Sequence, residues 1–533
     1  MQTEVVRDAA ATLHRLTRHG VFLAPSQRAQ LVPFRRLDPA NRPLPFKRYR
    51  GLEAVPLPRE IEFSDVPAVE GLAGRAAPAR AWDAGRLARL LFLANGVTRV
   101  GRSAFGDATY FRAAMSAGNL HPVELYVVSG DVGGVAPGVH HFALLEFGLT
   151  ELRRGDFRPA LAAAAHDRAI EQAPLTLVLT GIPWRTTWKY GERGFRHLYW
   201  DAGTLLANVF AVEPSASLRV AFVDADASRL IGVEGIREFP LALVTFGDLA
   251  PEAGDVRRGV EEVPELELPI PPIARAPIGL PLVTAAQHDG DLQEPSAVDE
   301  WRRAARDLGV PAAAEVDVPA ETSGRSIDEV ILQRGSTRLM RPESVPRELL
   351  TFGVGVAAGA VNDDYAAARA TLLEHFLTVH AVVDVPPGAY RWRDGSFQRG
   401  AAGQFRDTAA HLCLDQPLGG DSAYTVFHAA NLDTVLEALG SRGYRAVQVA
   451  AGIASGRLAL ASFALGYGAT GLTFYDDEVS AFFATTAAPM LVTSVGVPGY
   501  RNVVGGVPGR PVELAHYDEL MHRLNVQLHR GGF

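Results

Sequence analysis

An internal repeat constrains the fold more than any other feature of the sequence. The motif RGFR at 193–196 recurs as RGYR at 442–445, and FG at 246–247 recurs as VG at 495–496. Both pairs have an offset of 249 residues, since 442 minus 193 and 495 minus 246 each equal 249. Two looser echoes follow: PGVH at 137–140 with PGAY at 387–390, and GDFR at 155–158 with GQFR at 403–406. A register held over this distance indicates two copies of one domain, fused in tandem.

The first copy alternates helical and strand patterns. Helical spacing is found from Trp82 to Asn95, in the Ala-rich stretch Asp156 to His166, and in a long helix containing Asp201, Gly203 and Asn208. Strand patterns cover Val123 to Val128, Gly138 to Leu145, Leu175 to Thr180 and Leu241 to Phe246. This alternation indicates a layered α+β or α/β fold and excludes a helix bundle.

The repeat and the composition together predict five regions. These are an N-terminal helix and extended arm (1–70), domain 1 (71–250), a linker rich in proline and acidic residues (251–325), domain 2 (326–505), and a C-terminal helix or tail (506–533). The linker is expected to have little core of its own, because prolines crowd together between 269 and 281.

The composition excludes several classes of protein. A net charge of −8 and a pI near 6.0 argue against a nucleic-acid binder, which normally carries a basic patch. The single cysteine, Cys413, excludes an intrachain disulfide and fits a reducing cytoplasm. The histidines have no metal-ligand spacing, so no metal site is expected. The N-terminus lacks the apolar run of a signal peptide, and no segment is expected to span a membrane.

Three stretches could form a binding site. In the turn before the strand at Val123, small residues (Ser116, Ala117, Gly118) let the backbone approach a flat ligand, and Asn119 can donate and accept hydrogen bonds. An ordinary loop before a strand is the alternative.

In RGSTR (334–338), Arg334, Ser336 and Arg338 alternate, so an extended backbone would point them to one side, where they suit a phosphate. A solvated basic turn is the alternative.

The third stretch, 466–474, is rich in glycine and could bring backbone amides close to a planar ring. Its alternative is simply a helix end followed by a strand. Taken singly, none of these stretches identifies a ligand.

Together, SAGNLHPVELYVV (116–128), WKYGERGFRHLYWDAG (188–203) and RGSTR resemble the SagB-type dehydrogenases of the nitroreductase superfamily. These enzymes are FMN-dependent azoline oxidases of ribosomal peptide biosynthesis. The resemblance covers residues 40–250 well and 325–505 as a degenerate second copy. It implies two tandem nitroreductase-like domains, each a mixed or antiparallel sheet flanked by helices, that form a pseudo-dimer within one chain.

The resemblance also implies that FMN binds in the cleft between the two copies. Its phosphate and ribityl chain would be held from copy two, and its ring from both copies. The residues implied to hold the phosphate and ribityl chain are Arg334, Ser336 and Arg338. The residues implied to border the ring are Ser116, Ala117, Gly118, Asn119, His121, Gly471, Leu472 and Thr473. A second site would pair Arg75 and Arg80 with Val361 to Tyr365, where two aspartates suit a phosphate poorly, so it is expected to stay empty.

The family's adjacent Lys-Tyr pair corresponds to Lys189 and Tyr190, the implied catalytic residues. Azoline oxidation removes a proton and a hydride, and a lysine can act as base if its environment lowers its pKa. One departure puts the substrate side in doubt, because the family commonly has Gly-His where this chain has Gly203-Thr204.

The implied partners are a precursor peptide that contains azolines and a cyclodehydratase, in a cytoplasmic setting without nucleic acid or membrane. Two alternatives stay open. One is a related flavin oxidoreductase that acts on nitro, quinone or carrier-bound substrates. The other is a non-catalytic scaffold of the modifying complex.

Overall fold

A computed structural model describes residues 8–20, 35–75, 80–102, 108–247, 263–268, 270–308, 316–320, 322–365, 372–393, 395–501 and 510–514. Its strands are β1 (Ala54–Pro56), β2 (Val97–Arg102), β3 (Ala108–Arg112), β4 (Val123–Ser129), β5 (Gly138–Ala143), β6 (Gly148–Arg154), β7 (Leu175–Gly181), β8 (Ser217–Arg219), β9 (Phe239–Thr245), β10 (Met340–Arg341), β11 (Asn362–Asp363), β12 (Glu374–Val379), β13 (Gly388–Arg393), β14 (Ser396–Ala402), β15 (Tyr424–Ala430), β16 (Gly468–Leu472) and β17 (Ala488–Pro498).

The helices flank these strands. They are α1 (Ala9–Leu16), α2 (Ala68–Leu72), α3 (Ala84–Asn95), α4 (Arg158–Ala165), α5 (Ala169–Gln172), α6 (Pro183–Tyr190), α7 (Gly194–Val212), α8 (Asp224–Ile231), α9 (Pro281–His288), α10 (Pro295–Asp307), α11 (Ile327–Gln333), α12 (Arg347–Ala358), α13 (Arg406–Leu412), α14 (Pro417–Asp421), α15 (Leu432–Ala464) and α16 (Asp476–Phe482). Short 3₁₀ turns cover Pro39–Asn41, Ala117–Asn119 and Gly191–Arg193.

Two large sheets share one strand order. The first runs β1-β6-β5-β4-β7-β9-β8-β11, and the second runs β10-β17-β15-β12-β13-β14 with β16 also paired to β17. Without β1, β10 and β11, the orders are 6-5-4-7-9-8 and 14-13-12-15-17-16. The α+β class is therefore confirmed, and the common order is what two copies of one domain would produce.

β4 lies in the middle of the first sheet, antiparallel to β5 and β7. All seven of its residues are buried. Because both faces of the sheet are covered, the strand contributes to a core on each side, with Leu125 and Val127 in one and Tyr126 and Val128 in the other. Its N-terminal end fixes where the preceding turn, 116–122, emerges.

The two long helices, α7 and α15, cross at glycines that are themselves 249 residues apart, since 452 minus 203 equals 249. A Cβ added to Gly203 would lie 2.3 Å from the Val449 carbonyl oxygen, and one added to Gly452 would lie 2.4 Å from the Trp200 carbonyl oxygen. Only glycine allows the backbones to approach this closely. The crossing joins the two halves of the chain.

Reciprocal buried ion pairs flank this crossing, and they explain the repeated RG(F/Y)R motif. The two arginines of each motif bind one aspartate of the other half, at the start of α16 or α8. The contacts are Arg193 Nη1 to Asp476 Oδ2 (3.1 Å), Arg196 Nη1 to Asp476 Oδ1 (2.7 Å), Arg442 Nη1 to Asp224 Oδ2 (2.6 Å) and Arg445 Nη1 to Asp224 Oδ1 (3.2 Å).

The expectation of a coreless linker is wrong for 281–307. Pro281 and Pro295 stand in the first turns of α9 and α10, where proline favours a helix because no backbone donor is lost. Val298 and Trp301 of α10 are buried in the common core, and the Trp301 indole donates to the Leu439 carbonyl oxygen. Of the prolines between 269 and 281 that suggested a linker, Pro281 begins a helix.

The expectation that no segment could span a membrane also needs correction. α15 is long and apolar enough by length and composition, but 94% of its most apolar window is buried inside the protein. It is the central helix of the core. Its apolar character therefore follows from burial against α7 and the second sheet.

Candidate functional site

The turn before β4 is held open toward solvent by unusual backbone angles. Gly118, Asn119 and His121 have φ values of 63°, 58° and 45°. Asn119 keeps this conformation because its Nδ2 donates to the Tyr110 carbonyl oxygen (2.8 Å) and its Oδ1 contacts His121 Nε2 (2.9 Å). Gly118 is the exposed tip.

A buried carboxyl that the sequence reading did not assign to the site anchors this turn. Asp201 on α7 accepts a hydrogen bond from Ser116 Oγ (2.5 Å) and another from the Ala117 backbone N–H (3.1 Å). Burial raises the pKa of Asp201 to about 7, although these two bonds oppose the shift. Its sequence signal was weak, since one acid in a long apolar helix is compatible with many roles.

The Lys189-Tyr190 pair ends α6, rather than lying in a loop as a surface pair would. A Cβ added to Gly118 would lie 2.7 Å from Tyr190 Oη and 3.1 Å from Lys189 Nζ. The turn and the pair therefore face each other, and the positive φ of Gly118 favours glycine at this point. Lys189 is exposed and Tyr190 is half-buried.

The His197 ring packs against the Tyr190 ring, and His197 is a second residue that the sequence did not point to as part of the site. The two rings stack at 4.2 Å between centroids and 19° between planes, and Trp200 meets His197 edge-on. Neither nitrogen of the buried His197 has a hydrogen-bond partner in the described part of the chain. Burial, with Arg193 and Arg196 nearby, holds the pKa of His197 well below its usual value.

The second half of the chain contributes RGSTR, directly after α11. Arg334 Nη2 donates to the Ala113 carbonyl oxygen (2.9 Å), just before the turn. Arg334 also lowers the pKa of His121, after burial and two other arginines. Burial and Asp201 raise the pKa of Tyr190 to about 12, and Arg338 opposes this shift. RGSTR thus lies beside both the turn and the Lys-Tyr pair.

RGSTR is also tied to the glycine-rich strand. The Thr337 N–H donates to the Ala469 carbonyl oxygen (3.0 Å), which aligns RGSTR with β16. On that strand Gly471 is exposed and Leu472 is buried, while Thr473 accepts a hydrogen bond from Gln416 (3.1 Å). Gly471 and Leu472 thus lie on the strand that is bonded to RGSTR, and Thr473 follows it directly.

The arrangement has the features that a flavin needs. Ser336 and Arg338 are partly or fully accessible, and Arg334 has one carbonyl partner and a pKa that burial lowers to about 10. A phosphate would supply the negative charge that this buried guanidinium lacks. Gly118 has no side chain, so the backbone of the turn is accessible beside Tyr190.

In the counterpart region of the other half, the described residues 362–364 are bonded to other protein groups. Asp364 accepts hydrogen bonds from the backbone N–H groups of Val220 (3.0 Å) and Ala221 (3.1 Å) and pairs with Arg302 (3.2 Å). Asn362 and Asp363 form β11 against β8. A cavity of about 90 Å³, lined by Val361, Asn362 and residues of α2 and α7, lies beside them and is smaller than a usual cofactor pocket.

Two further observations limit what the site can be. The described residues contain no cluster of three His, Cys, Asp or Glu arranged to hold a metal ion. The larger cavity of about 1070 Å³ lies elsewhere, between residues 228–239 and 265–293, and contains none of the predicted site residues.

The fold and the candidate site are both assembled from two halves of one chain. No protein-family model matches the chain. A candidate nitroreductase from Methanocaldococcus jannaschii is 32% identical over 166 residues, which are 30% of this chain and 78% of that protein. The crystal structure of a candidate nitroreductase from Anabaena variabilis matches with a TM-score of 0.70 at 22% identity, covering 92% of this chain and 100% of the other. The chain belongs to the nitroreductase family.

Proposed function

We propose that this protein is an FMN-dependent dehydrogenase that oxidises thiazoline or oxazoline rings in a ribosomally made peptide to thiazoles or oxazoles. One observation carries the proposal. Two arginines of the second half lie against the turn at 116–121 and the Lys-Tyr pair of the first half, as the motif resemblance implies for a single composite site. The peptide, a cyclodehydratase partner and a cytoplasmic location belong to the same proposal.

The chain's residues divide the work between binding and proton transfer. Arg334, Ser336 and Arg338 would hold the phosphate and ribityl chain, and Ser116 to Asn119 would border the ring. Bound FMN would supply the hydride acceptor, with O2 as the electron acceptor that regenerates it. Tyr190 keeps its proton at neutral pH, because its pKa is about 12, and is therefore a donor that can orient or protonate the substrate.

The composition supports Lys189 as the base. The chain has only two lysines, Lys47 and Lys189, so the remaining 50 of its 52 basic residues are arginines. Lys47 is buried in an ion pair with Glu238 (2.5 Å). Lys189 is thus the lysine outside that ion pair, and lysine, unlike arginine, is a side chain that can give up its proton.

The decisive test compares two substitutions of one side chain. Lys189→Arg keeps the charge but cannot lose a proton, so both Lys189→Arg and Lys189→Ala should abolish azole formation while FMN stays bound. Mass spectrometry of an azoline peptide would follow the loss of two hydrogens, and visible absorbance would follow the flavin. Activity of Lys189→Arg near the wild-type level would refute the role as base. Tyr190→Phe tests the donor separately.

The nitroreductase relative favours a second candidate, reduction of a nitro or quinone compound. The same protein should be assayed with NADPH and a nitroaromatic substrate. Turnover there, with none on the azoline peptide, would select this function instead.

A further inference from the structure

The Ser116 hydroxyl is held by two groups at once. It donates to Asp201 Oδ2 (2.5 Å) and accepts from the His121 backbone N–H (2.8 Å). A hydroxyl has one hydrogen and two acceptor positions. With Asp201 ionised, the hydrogen and one acceptor position are used, and one acceptor position remains for a ligand.

A proton on Asp201 reverses the direction of the hydrogen bond between Asp201 and Ser116. The carboxyl then donates to Ser116, both acceptor positions of the hydroxyl are occupied, and its hydrogen becomes free. We propose that Asp201 is a positioning residue whose ionisation sets whether Ser116 offers the bound flavin a donor or an acceptor. This inference rests on the proposed flavin site.

The groups around Asp201 allow its ionisation to control the Ser116 hydroxyl at neutral pH. The Asp201 carboxyl accepts from Ser116 and Ala117 of the turn, and of the titratable groups at the site Tyr190 on α6 interacts with its charge. Across the helix crossing, α15 presents Val449, Gly452 and Ile453, which do not titrate.

The histidines and the tyrosine do not change charge near neutral pH. The pKa of His121 and that of His197 lie well below the usual value, and the pKa of Tyr190 is about 12. Asp201, with a pKa of about 7, does change charge there.

The edge of the isoalloxazine ring carries carbonyl oxygens and ring nitrogens that accept hydrogen bonds, against one N–H donor. A free hydrogen on Ser116 therefore suits it better than a free acceptor position. Flavin should bind more tightly when Asp201 is protonated, so its affinity should fall as pH rises through the pKa of Asp201. One hydrogen bond corresponds to a change of about threefold to tenfold in Kd.

The test is a titration of flavin-free protein with FMN, followed by flavin fluorescence, between about pH 6 and about pH 8. Wild type should lose about threefold to tenfold in affinity over this range. In Asp201→Asn the amide oxygen can accept from Ala117 while its NH₂ donates to Ser116, which imitates the protonated state. Asp201→Asn should therefore bind FMN tightly at both ends of this pH range.

Ser116→Ala offers an independent check if Asp201→Asn folds poorly. It lacks the hydroxyl and should bind more weakly, with no pH dependence. A flat profile in wild type, or a wild-type slope in either variant, would overturn the inference. No FMN binding by wild type at any pH would instead overturn the proposed flavin site, and this inference with it.

Discussion

Substituting Gly452 by alanine should loosen the proposed flavin site, although Gly452 is not part of it. The added Cβ would lie 2.4 Å from the Trp200 carbonyl oxygen and 2.9 Å from the Gly203 Cα, both on the backbone of α7. Backbone atoms cannot swing aside as a side chain can, so α7 and α15 must move apart. Overpacking of this kind costs about 1–3 kcal/mol. Alanine recovers about 0.5–1 kcal/mol through helix propensity.

The net loss expected for Gly452→Ala is therefore about 0–2.5 kcal/mol, with a midpoint of about 1.3 kcal/mol. Because α7 also carries Asp201, which anchors the turn at 116–119, the flavin affinity should fall together with the stability. Urea unfolding and FMN titration would measure the two quantities.

Gly355→Ala is the matched control. It makes the same change inside α12, where the new Cβ would lie 3.5 Å from Val316 Cγ1, an ordinary contact. It should leave FMN affinity unchanged and stability equal or up to about 1 kcal/mol higher. A Gly452→Ala protein as stable as Gly355→Ala, with unchanged FMN affinity, would refute the role of the glycine crossing.

Further predictions concern the ion pairs that join the two halves. Asp476→Asn leaves Arg193 and Arg196 without a buried counter-charge and should cost about 3–5 kcal/mol in urea unfolding. Asp477→Asn, which removes an exposed partner of Arg18, should change stability by less than about 1 kcal/mol. Equal losses of stability in Asp476→Asn and Asp477→Asn would refute the expected difference between the buried and the exposed ion pair. Burial alone would raise the pKa of Asp476, but Arg196 and Arg193 outweigh it and bring the pKa to about 2. Because this pKa is depressed in the folded state, the stability from Asp476 should be complete above about pH 4 and be lost between about pH 4 and pH 2. Unfolding midpoints at several pH values would check this, and an Asp476→Asn protein with the same acid loss as wild type would contradict it.

The repeat and the strand patterns predicted the α+β fold because both depend on local sequence. Val123 to Val128 and Leu175 to Thr180 are apolar runs, and each forms a central strand of the first sheet. The stretch 281–307 was mispredicted because proline has the same local signature in a linker and in the first turn of a helix.

The assembled site was harder to predict from local sequence. Arg196 meets Asp476, a partner 280 residues away, and Asp201 meets Ser116 across 85 residues. Periodicity carries no information on such contacts. The motif resemblance named the turn, RGSTR and the Lys-Tyr pair as one site, and their roles toward FMN stay predictions.

The flavin-to-chain ratio of the purified protein tests the central claim most directly. A single composite site predicts a yellow protein with one FMN per chain. Arg338→Ala should lose the flavin, while Arg80→Ala, an exposed arginine of the counterpart region paired with Glu62, should keep it. A colourless wild-type protein, two FMN per chain, or equal flavin loss in both variants would contradict the account.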